Sequence, residues 1–308
     1  MKNRAMTPSV EMVAAMALSG TIGFFVVESG QSPFNVVFFR CLFGALCLFF
    51  YCYAKGLLRK LSLSRRTLAL IGVGGLAIVF NWVALFASYS RTTIGISTTI
   101  YHVQPIFVFF AGAVLFGERI TLNRLLWLVV AFGGALLVIR PNGSTIIYSP
   151  DYLIGCGLAL LAAALYAVAT LITKRLKGVV TPHVIALSQL VIGIVVLAPL
   201  ADFGALPARN FQWECLAVLG LVHSCIMYIL MYSAFQQLPT ASIAVLSFAY
   251  PAIAVLVDYL AYGHLLTVVQ IAGALMVLLA GIGNNLNIDL IGRLLHGAPA
   301  APVKDQSL

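Results

Sequence analysis

The sequence predicts an all-α integral membrane protein, with ten transmembrane helices arranged as two inverted five-helix repeats around a central cavity. Three observations carry that expectation. Apolar residues make up 62% of the 308 residues and charged residues only 9%, where a soluble domain carries about 25% charged residues. Apolar runs of about 20 residues, the length that crosses a hydrocarbon core, recur along nearly the whole chain. Landmarks also repeat: the shift that takes Pro105 to Pro251 takes Trp82 to Tyr228, Gly117 to Gly263 and Thr121 to Thr267.

In chain order the spans are expected at 8–27, 33–54, 67–89, 93–116, 121–140, 151–173, 182–201, 212–235, 240–262 and 265–285. Pro8, Pro33 and Pro182 open three of them, because a first turn has no intrahelical acceptor for the N–H that proline lacks. Pro141-Asn142-Gly143-Ser144 reads as a turn. Residues 1–145 make up the first repeat, 146–287 the second, and 288–308 a cytoplasmic tail. An odd number of spans in each half inverts the second half, a layout that puts a site near mid-membrane. Lys2 and Arg4 before the first run give it signal-peptide flanks, but its place in the repeat argues that it is retained.

Orientation follows from the basic residues. Arg59-Lys60, Arg65-Arg66, Arg119, Arg124 and Lys174-Arg175 fall on one side of this layout, and Arg91, Arg140 and Arg209 on the other. The excess marks the cytoplasmic side and puts both termini there, in a multi-pass protein of the cell inner (cytoplasmic) membrane. The net charge of +9 is therefore topological and implies no nucleic acid. Cys41, Cys47, Cys52, Cys156, Cys215 and Cys225 lie in or beside apolar runs without a CxxC pair, which suits small buried hydrophobes rather than a metal site or disulfides. No Walker A, GxSxG or HExxH motif occurs. No catalytic residue, metal or cofactor is expected, and the chain is expected to work as a monomer in the bilayer on a small-molecule substrate.

The chain resembles the drug/metabolite transporter superfamily of the EamA type. The likeness is carried by Pro33 to Arg40 with Leu42-Phe43-Gly44-Ala45, by Gln104-Pro105, by Leu115-Phe116-Gly117-Glu118 and by Gly133-Gly134. The second half has Tyr250-Pro251 and Tyr262-Gly263, with His264 where that family usually has glutamate. The resemblance covers about residues 10–285 and implies a secondary transporter with a central cavity. Within it, the YddG-like exporters of aromatic amino acids are the group the chain looks most like.

The chemistry concentrates at Thr98 to Pro105 and its counterpart Val245 to Pro251, polar and aromatic stretches in apolar runs. A mid-run proline frees the carbonyl one turn earlier, at Tyr101 and Ser247. The substrate-binding candidates are Trp82, Tyr101, His102, Gln104, Pro105, Tyr166, His223, Tyr228, Ser247, Tyr250 and Pro251. Aromatic faces with polar tips, Tyr89 and Tyr232 among them, suit flat apolar groups and cations, but ordinary packing explains the same residues, as does interface anchoring for those near span ends such as Tyr89 and Tyr232. His102 and His223 could relay protons or serve as neutral structural groups. Asn81 and Gln104 could orient a ligand or tie helices. Arg40 is read as an ion pair or gate with Asp258, with Glu28 as a rival partner, since an unpaired buried guanidinium is expensive. The absence of a fixed cation or acid at mid-membrane favours a neutral or zwitterionic ligand. The expected function is alternating-access export of small metabolites, amino acids including aromatic ones first. A proton-coupled multidrug carrier, a lipid-modifying membrane enzyme and a passive channel are the rivals.

Overall fold

The computed structural model describes residues 7–58, 63–89, 91–92, 97, 100–139, 150–262, 267–286 and 288–289. Among them the regular structure is helical. The elements are α1 (Pro8–Glu28), α2 (Pro33–Ala54), α3 (Arg65–Tyr89), α4 (Gln104–Phe116), α5 (Leu122–Ile139), α6 (Pro150–Arg175), α7 (Pro182–Leu197) and α8 (Asn210–Leu221). A π-helical turn at Val222–Ile226 leads into α9 (Met227–Gln237), followed by α10 (Thr240–Ser247), α11 (Ala249–Tyr262) and α12 (Val268–Asn285).

Helix ends follow local chemistry. Pro8, Pro33 and Pro182 begin α1, α2 and α7. Ser32 caps α2 by accepting from the Asn35 N–H at 3.3 Å, and Thr267 caps α12 reciprocally with Gln270, each supplying an acceptor to an orphaned first-turn donor. Gly117 ends α4 in the left-handed region at φ 64°, where a side chain would be strained.

The expected layout of ten spans in two inverted five-helix repeats is overturned. Among the described residues, six helices are long and apolar enough to cross a membrane: Pro8–Glu28, Pro33–Ala54, Arg65–Ser88, Pro150–Arg175, Asn210–Gln237 and Val268–Asn285. Gln104–Phe116, Leu122–Leu137 and Pro182–Leu197 are apolar but shorter, and 240–262 is two helices broken at Phe248. The reason is physical. Hydropathy sums apolar character through a helix break, whereas spanning needs continuous rise: the 13 residues of α4 rise about 20 Å, against about 30 Å of hydrocarbon. Both prolines expected as mid-helix kinks instead stand in first turns, Pro105 in α4 and Pro251 in α11, so neither removes a hydrogen bond from a helix interior.

The protein is thus an all-α, multi-pass membrane protein, with six long apolar candidate spans among the described residues. Its outer surface is apolar, with Val114 83% and Val268 82% exposed, which suits hydrocarbon rather than water as solvent. The main core joins side chains of α1, α2, α3, α7, α8 and α9. A second core forms where α5, α10 and α12 meet around Trp127, Phe248 and Val277. Backbones approach closely at glycines. A Cβ on Gly44 of α2 would lie 2.8 Å from the Ser224 Cβ and 3.1 Å from the Gly220 carbonyl oxygen, and this crossing puts α2 against the π turn.

A candidate substrate site at an aromatic chain

Ring contacts link helices distant in sequence into one line. Trp82 of α3 meets Tyr228 of α9 edge-on, with centroids 5.9 Å apart. Tyr228 meets Tyr232 at 5.0 Å, and Tyr232 stacks on Phe235 at 5.8 Å. Phe235 meets Tyr166 of α6 at 6.5 Å, and Tyr166 meets Tyr101 at 6.1 Å. Tyr101 adjoins His102 at 6.4 Å, whose ring stacks on Tyr250 of α11 at 5.1 Å. Six of the sequence-predicted residues, Trp82, Tyr101, His102, Tyr166, Tyr228 and Tyr250, therefore fall on one continuous aromatic chain.

Arg40 stands at one end of it. Its guanidinium carbon is 4.5 Å from the Trp82 ring centroid and 5.9 Å from that of Tyr228. Its Nε donates to Ser224 Oγ at 2.8 Å, and that hydroxyl donates to the Leu219 carbonyl at 2.9 Å, an acceptor five residues back in the π turn. The side chain is 2% exposed, about 10 Å along α2 at 1.5 Å per residue. Among the described residues Nη2 has no hydrogen-bond partner and no carboxylate pairs with the guanidinium. The expected ion pair with Asp258 involves a side chain outside the described residues. A desolvated cation–π contact supplies about 2 kcal/mol, while withdrawing a charge from water costs several kcal/mol even after relaxation. The aromatic faces alone do not balance Arg40.

Three amides extend the polar lining. Asn81, fully buried, donates from Nδ2 to the Ala162 carbonyl at 2.7 Å and to Tyr101 Oη at 3.2 Å, which leaves Oδ1 without a partner. Gln104 Oε1 is likewise unpartnered. Gln189 of α7 accepts from the Tyr232 hydroxyl through Oε1, and its Nε2 is unpartnered. The aromatic chain thus adjoins unpaired buried donors on Arg40 and Gln189 and an unpaired buried acceptor on Asn81, and a further unpaired buried acceptor, on Gln104, stands at the start of α4. An unmade hydrogen bond on a buried polar group costs about 1–3 kcal/mol.

The remaining predicted residues lie apart. His223, in the π turn, faces α1: its ring is 5.3 Å from Phe25, Nε2 is 2.6 Å from Thr21 Oγ1, and Nδ1 is 3.3 Å from the Val218 carbonyl. Both ring nitrogens thus have partners, while the Thr21 hydroxyl also donates to the Leu18 carbonyl at 2.8 Å. Ser247 donates to its own helix at Ile243 O, 2.7 Å away. Pro105 is buried at the start of α4; the side chain of Pro251 lies outside the described residues, as does that of Tyr89. Tyr232, for which the sequence leaves both an aromatic wall and interface anchoring open, is 1% exposed in the middle of the aromatic chain. Sequence reasoning also missed Ser224, because nothing in Val222-His223-Ser224-Cys225 announces a π turn. In the sequence Gln189 is marked only as the residue that a shift of 149 places on Arg40. No cluster of three or more metal-ligating side chains occurs among the described residues.

The sequence profile of the EamA-like transporter family matches the chain twice, over residues 10–140 and 153–286. The uncharacterized transporter YxxF of Bacillus subtilis is 31% identical over 274 residues, 88% of this chain and 87% of its own length. The pseudopaline exporter CntI of Pseudomonas aeruginosa is 27% identical over 61% of this chain and 63% of its own. The threonine/homoserine exporter RhtA of Escherichia coli is 26% identical over 71% of this chain and 70% of its own. A crystal structure with 16% sequence identity superposes with a TM-score of 0.81, covering 91% of this chain and 96% of the other, which speaks for the fold alone. With both halves matched by one profile and YxxF similar over most of its length, the chain belongs to the EamA-like transporter family and is a transporter rather than an enzyme.

Proposed function

We propose that this transporter exports small neutral or zwitterionic metabolites across the cytoplasmic membrane, with amino acids, aromatic ones among them, as its first substrates. The observation that carries the reading is the aromatic chain from Trp82 to Tyr250, adjoined by unpaired donors at Arg40 and Gln189 and an unpaired acceptor at Asn81. Aromatic walls bind flat apolar groups and ammonium ions. The polar border offers partners to both charges of a zwitterion and adds no fixed acid that would select cationic drugs. Two similar proteins are named as exporters, one of threonine and homoserine and one of pseudopaline. Since neither name specifies an aromatic amino acid, that preference rests on the ring chemistry alone. Both termini face the cytoplasm in this proposal, which follows the distribution of basic residues.

The test is counterflow in proteoliposomes. Vesicles preloaded with unlabelled L-phenylalanine or L-threonine should accumulate the labelled form transiently and saturably, and Trp82→Ala should reduce the phenylalanine signal about tenfold or more. A passive channel would show no counterflow. Accumulation that requires an imposed pH gradient and is blocked by cationic drugs, with no amino-acid counterflow, would replace this reading with proton-coupled drug efflux.

A further inference from the structure

We infer that the basic recess at the junction of α4, α5 and α6 binds an anionic phospholipid, with the headgroup phosphate held by Arg119 and Arg124 and the acyl chains lying against α4 and α5. The site is separate from the aromatic chain, and the inference does not depend on which metabolite is carried.

The recess, about 330 Å³ in volume, is lined by Glu118, Arg119, Arg124 and Lys174 together with the connection between α9 and α10. Three cations there meet one carboxylate, and that carboxylate is already engaged. Glu118 Oε1 is 3.3 Å from Lys174 Nζ, and Oε2 accepts from the N–H and the hydroxyl of Thr240. Lys174 also donates to the Leu238 carbonyl. Arg119 and Arg124 have no ion-pair partner among the described residues, so two guanidinium groups border the recess without an acid to neutralise them. Arg124 also stands against its own helix. It lies in the first turn of α5, which holds no acidic residue, and a first turn is the positive end of the helix dipole. A cation placed there opposes the dipole, and an anion seated in the recess offsets both.

The charge calls for an anion, and the surroundings select a lipid. A phosphodiester presents two unesterified oxygens, which match the guanidinium fork. Beyond the short connection from Gly117 to Thr121, α4 and α5 turn to different partners: α4 packs on α6 and α10, and α5 on α10, α11 and α12. Each helix leaves large apolar side chains exposed within about two turns of the recess, Val114 and Leu115 on α4 and Leu122 and Val129 on α5. In a membrane protein those side chains meet acyl chains. A soluble phosphate compound would use the recess alone, whereas a phospholipid uses the recess and the apolar surface next to it. In the proposed orientation this end of the bundle faces the cytoplasmic leaflet, whose anionic headgroups gather at basic recesses between helices. A headgroup held there would rest on the Glu118–Lys174 pair and brace the ends of α4 and α6.

The test uses the purified full-length protein in dodecyl maltoside, with thermal unfolding followed against short-chain phosphatidylglycerol, phosphatidylcholine of the same chain length, sn-glycerol 3-phosphate and inorganic phosphate. Phosphatidylglycerol should raise the melting temperature. Phosphatidylcholine and the two soluble phosphates should need about tenfold or more higher concentration for the same shift. The double variant Arg119→Gln, Arg124→Gln should weaken the response to phosphatidylglycerol by a similar factor, and native mass spectrometry should show it retaining one phosphatidylglycerol fewer than the unmodified protein. The control is Arg65→Gln, Arg66→Gln, which removes an exposed basic pair at the start of α3 and should keep the full response. Should the double variant fail to fold, Arg119→Gln alone, at an exposed position, should still lose part of the response. The inference is overturned if phosphatidylcholine acts as well as phosphatidylglycerol, or if the Arg65, Arg66 variant loses as much as the Arg119, Arg124 variant, which would mean a diffuse basic surface. It is overturned as well if the soluble phosphates match the lipid, which would make the recess a site for a free phosphate compound. Because binding is read without transport, a failure of amino-acid counterflow would remove the proposed substrate and leave this site standing.

Discussion

A single hydroxyl decides how Arg40 is held. Ser224 Oγ accepts from the guanidinium Nε at 2.8 Å and hands its own proton to the Leu219 carbonyl. Removing it leaves a charged donor buried without an acceptor. Hydrogen bonds to charged groups contribute about 1.5–3 kcal/mol, so Ser224→Ala should lower stability by about that amount in a chemical or thermal melt. Ser224→Thr keeps the oxygen and serves as the control for the serine's role as acceptor. Much of this site was legible at the residue scale. Trp82, Tyr101, Tyr228 and Tyr250 draw attention because polar-tipped aromatics in apolar runs are conspicuous, and they do meet. Interface anchoring, one of the two readings of Tyr232, does not hold for a buried side chain, because distance from a span end says nothing about which way a helix face turns. Arg40 was legible as a buried charge but not in its partners: Ser224 reaches it only because the π turn shifts the helix face.

Elements reveal a different limit. Apolar runs located the helices well, but hydropathy cannot see where a helix stops inside a run, so Gln104–Phe116 and the break at Phe248 went unread. The crossing of α2 with α8 and the π turn shows what small residues do at this scale. A Cβ on Gly220 would meet the Phe43 side chain and lie 3.0 Å from the Gly44 backbone nitrogen. Backbone cannot retreat as a flexible side chain can, so Gly220→Val must push the two helices apart. Overpacking of this kind costs about 1–3 kcal/mol. The variant should therefore melt lower, and because the same crossing delivers Ser224 to Arg40, it should also weaken amino-acid counterflow. At Gly23 an added Cβ would meet nothing within 4 Å, so alanine should be accepted there with a change under about 1 kcal/mol; helix propensity favours it.

At the scale of the whole molecule, the two stretches matched by the family profile, 10–140 and 153–286, are stitched together at one end by a polar junction. Glu118, just past the end of α4, accepts through Oε2 from the Thr240 N–H at 2.9 Å and from its hydroxyl at 2.7 Å, which caps α10. Its Oε1 is 3.3 Å from Lys174 Nζ at the end of α6, and Lys174 in turn donates to the Leu238 carbonyl. One carboxylate thus ties α4 to α6 and to the connection between α9 and α10. Two contributions can be separated by substitution. Glu118→Gln can keep the cap through its amide oxygen while losing the charge, and since the pair is 13% and 21% exposed, its loss should cost about 1 kcal/mol or less. Glu118→Ala also removes the cap, a further loss of about 1 kcal/mol, and leaves Thr240 N–H without its acceptor. A double-mutant cycle of Glu118→Gln with Lys174→Met, read by thermal melts, should return a coupling of about 0.5–1 kcal/mol, whereas a cycle of Glu118→Gln with Ser224→Ala, which lie at separate junctions, should be additive within about 0.5 kcal/mol. Additivity in the first cycle would show that Lys174 is held by Leu238 alone, and the junction would then rest on the cap rather than on the charge.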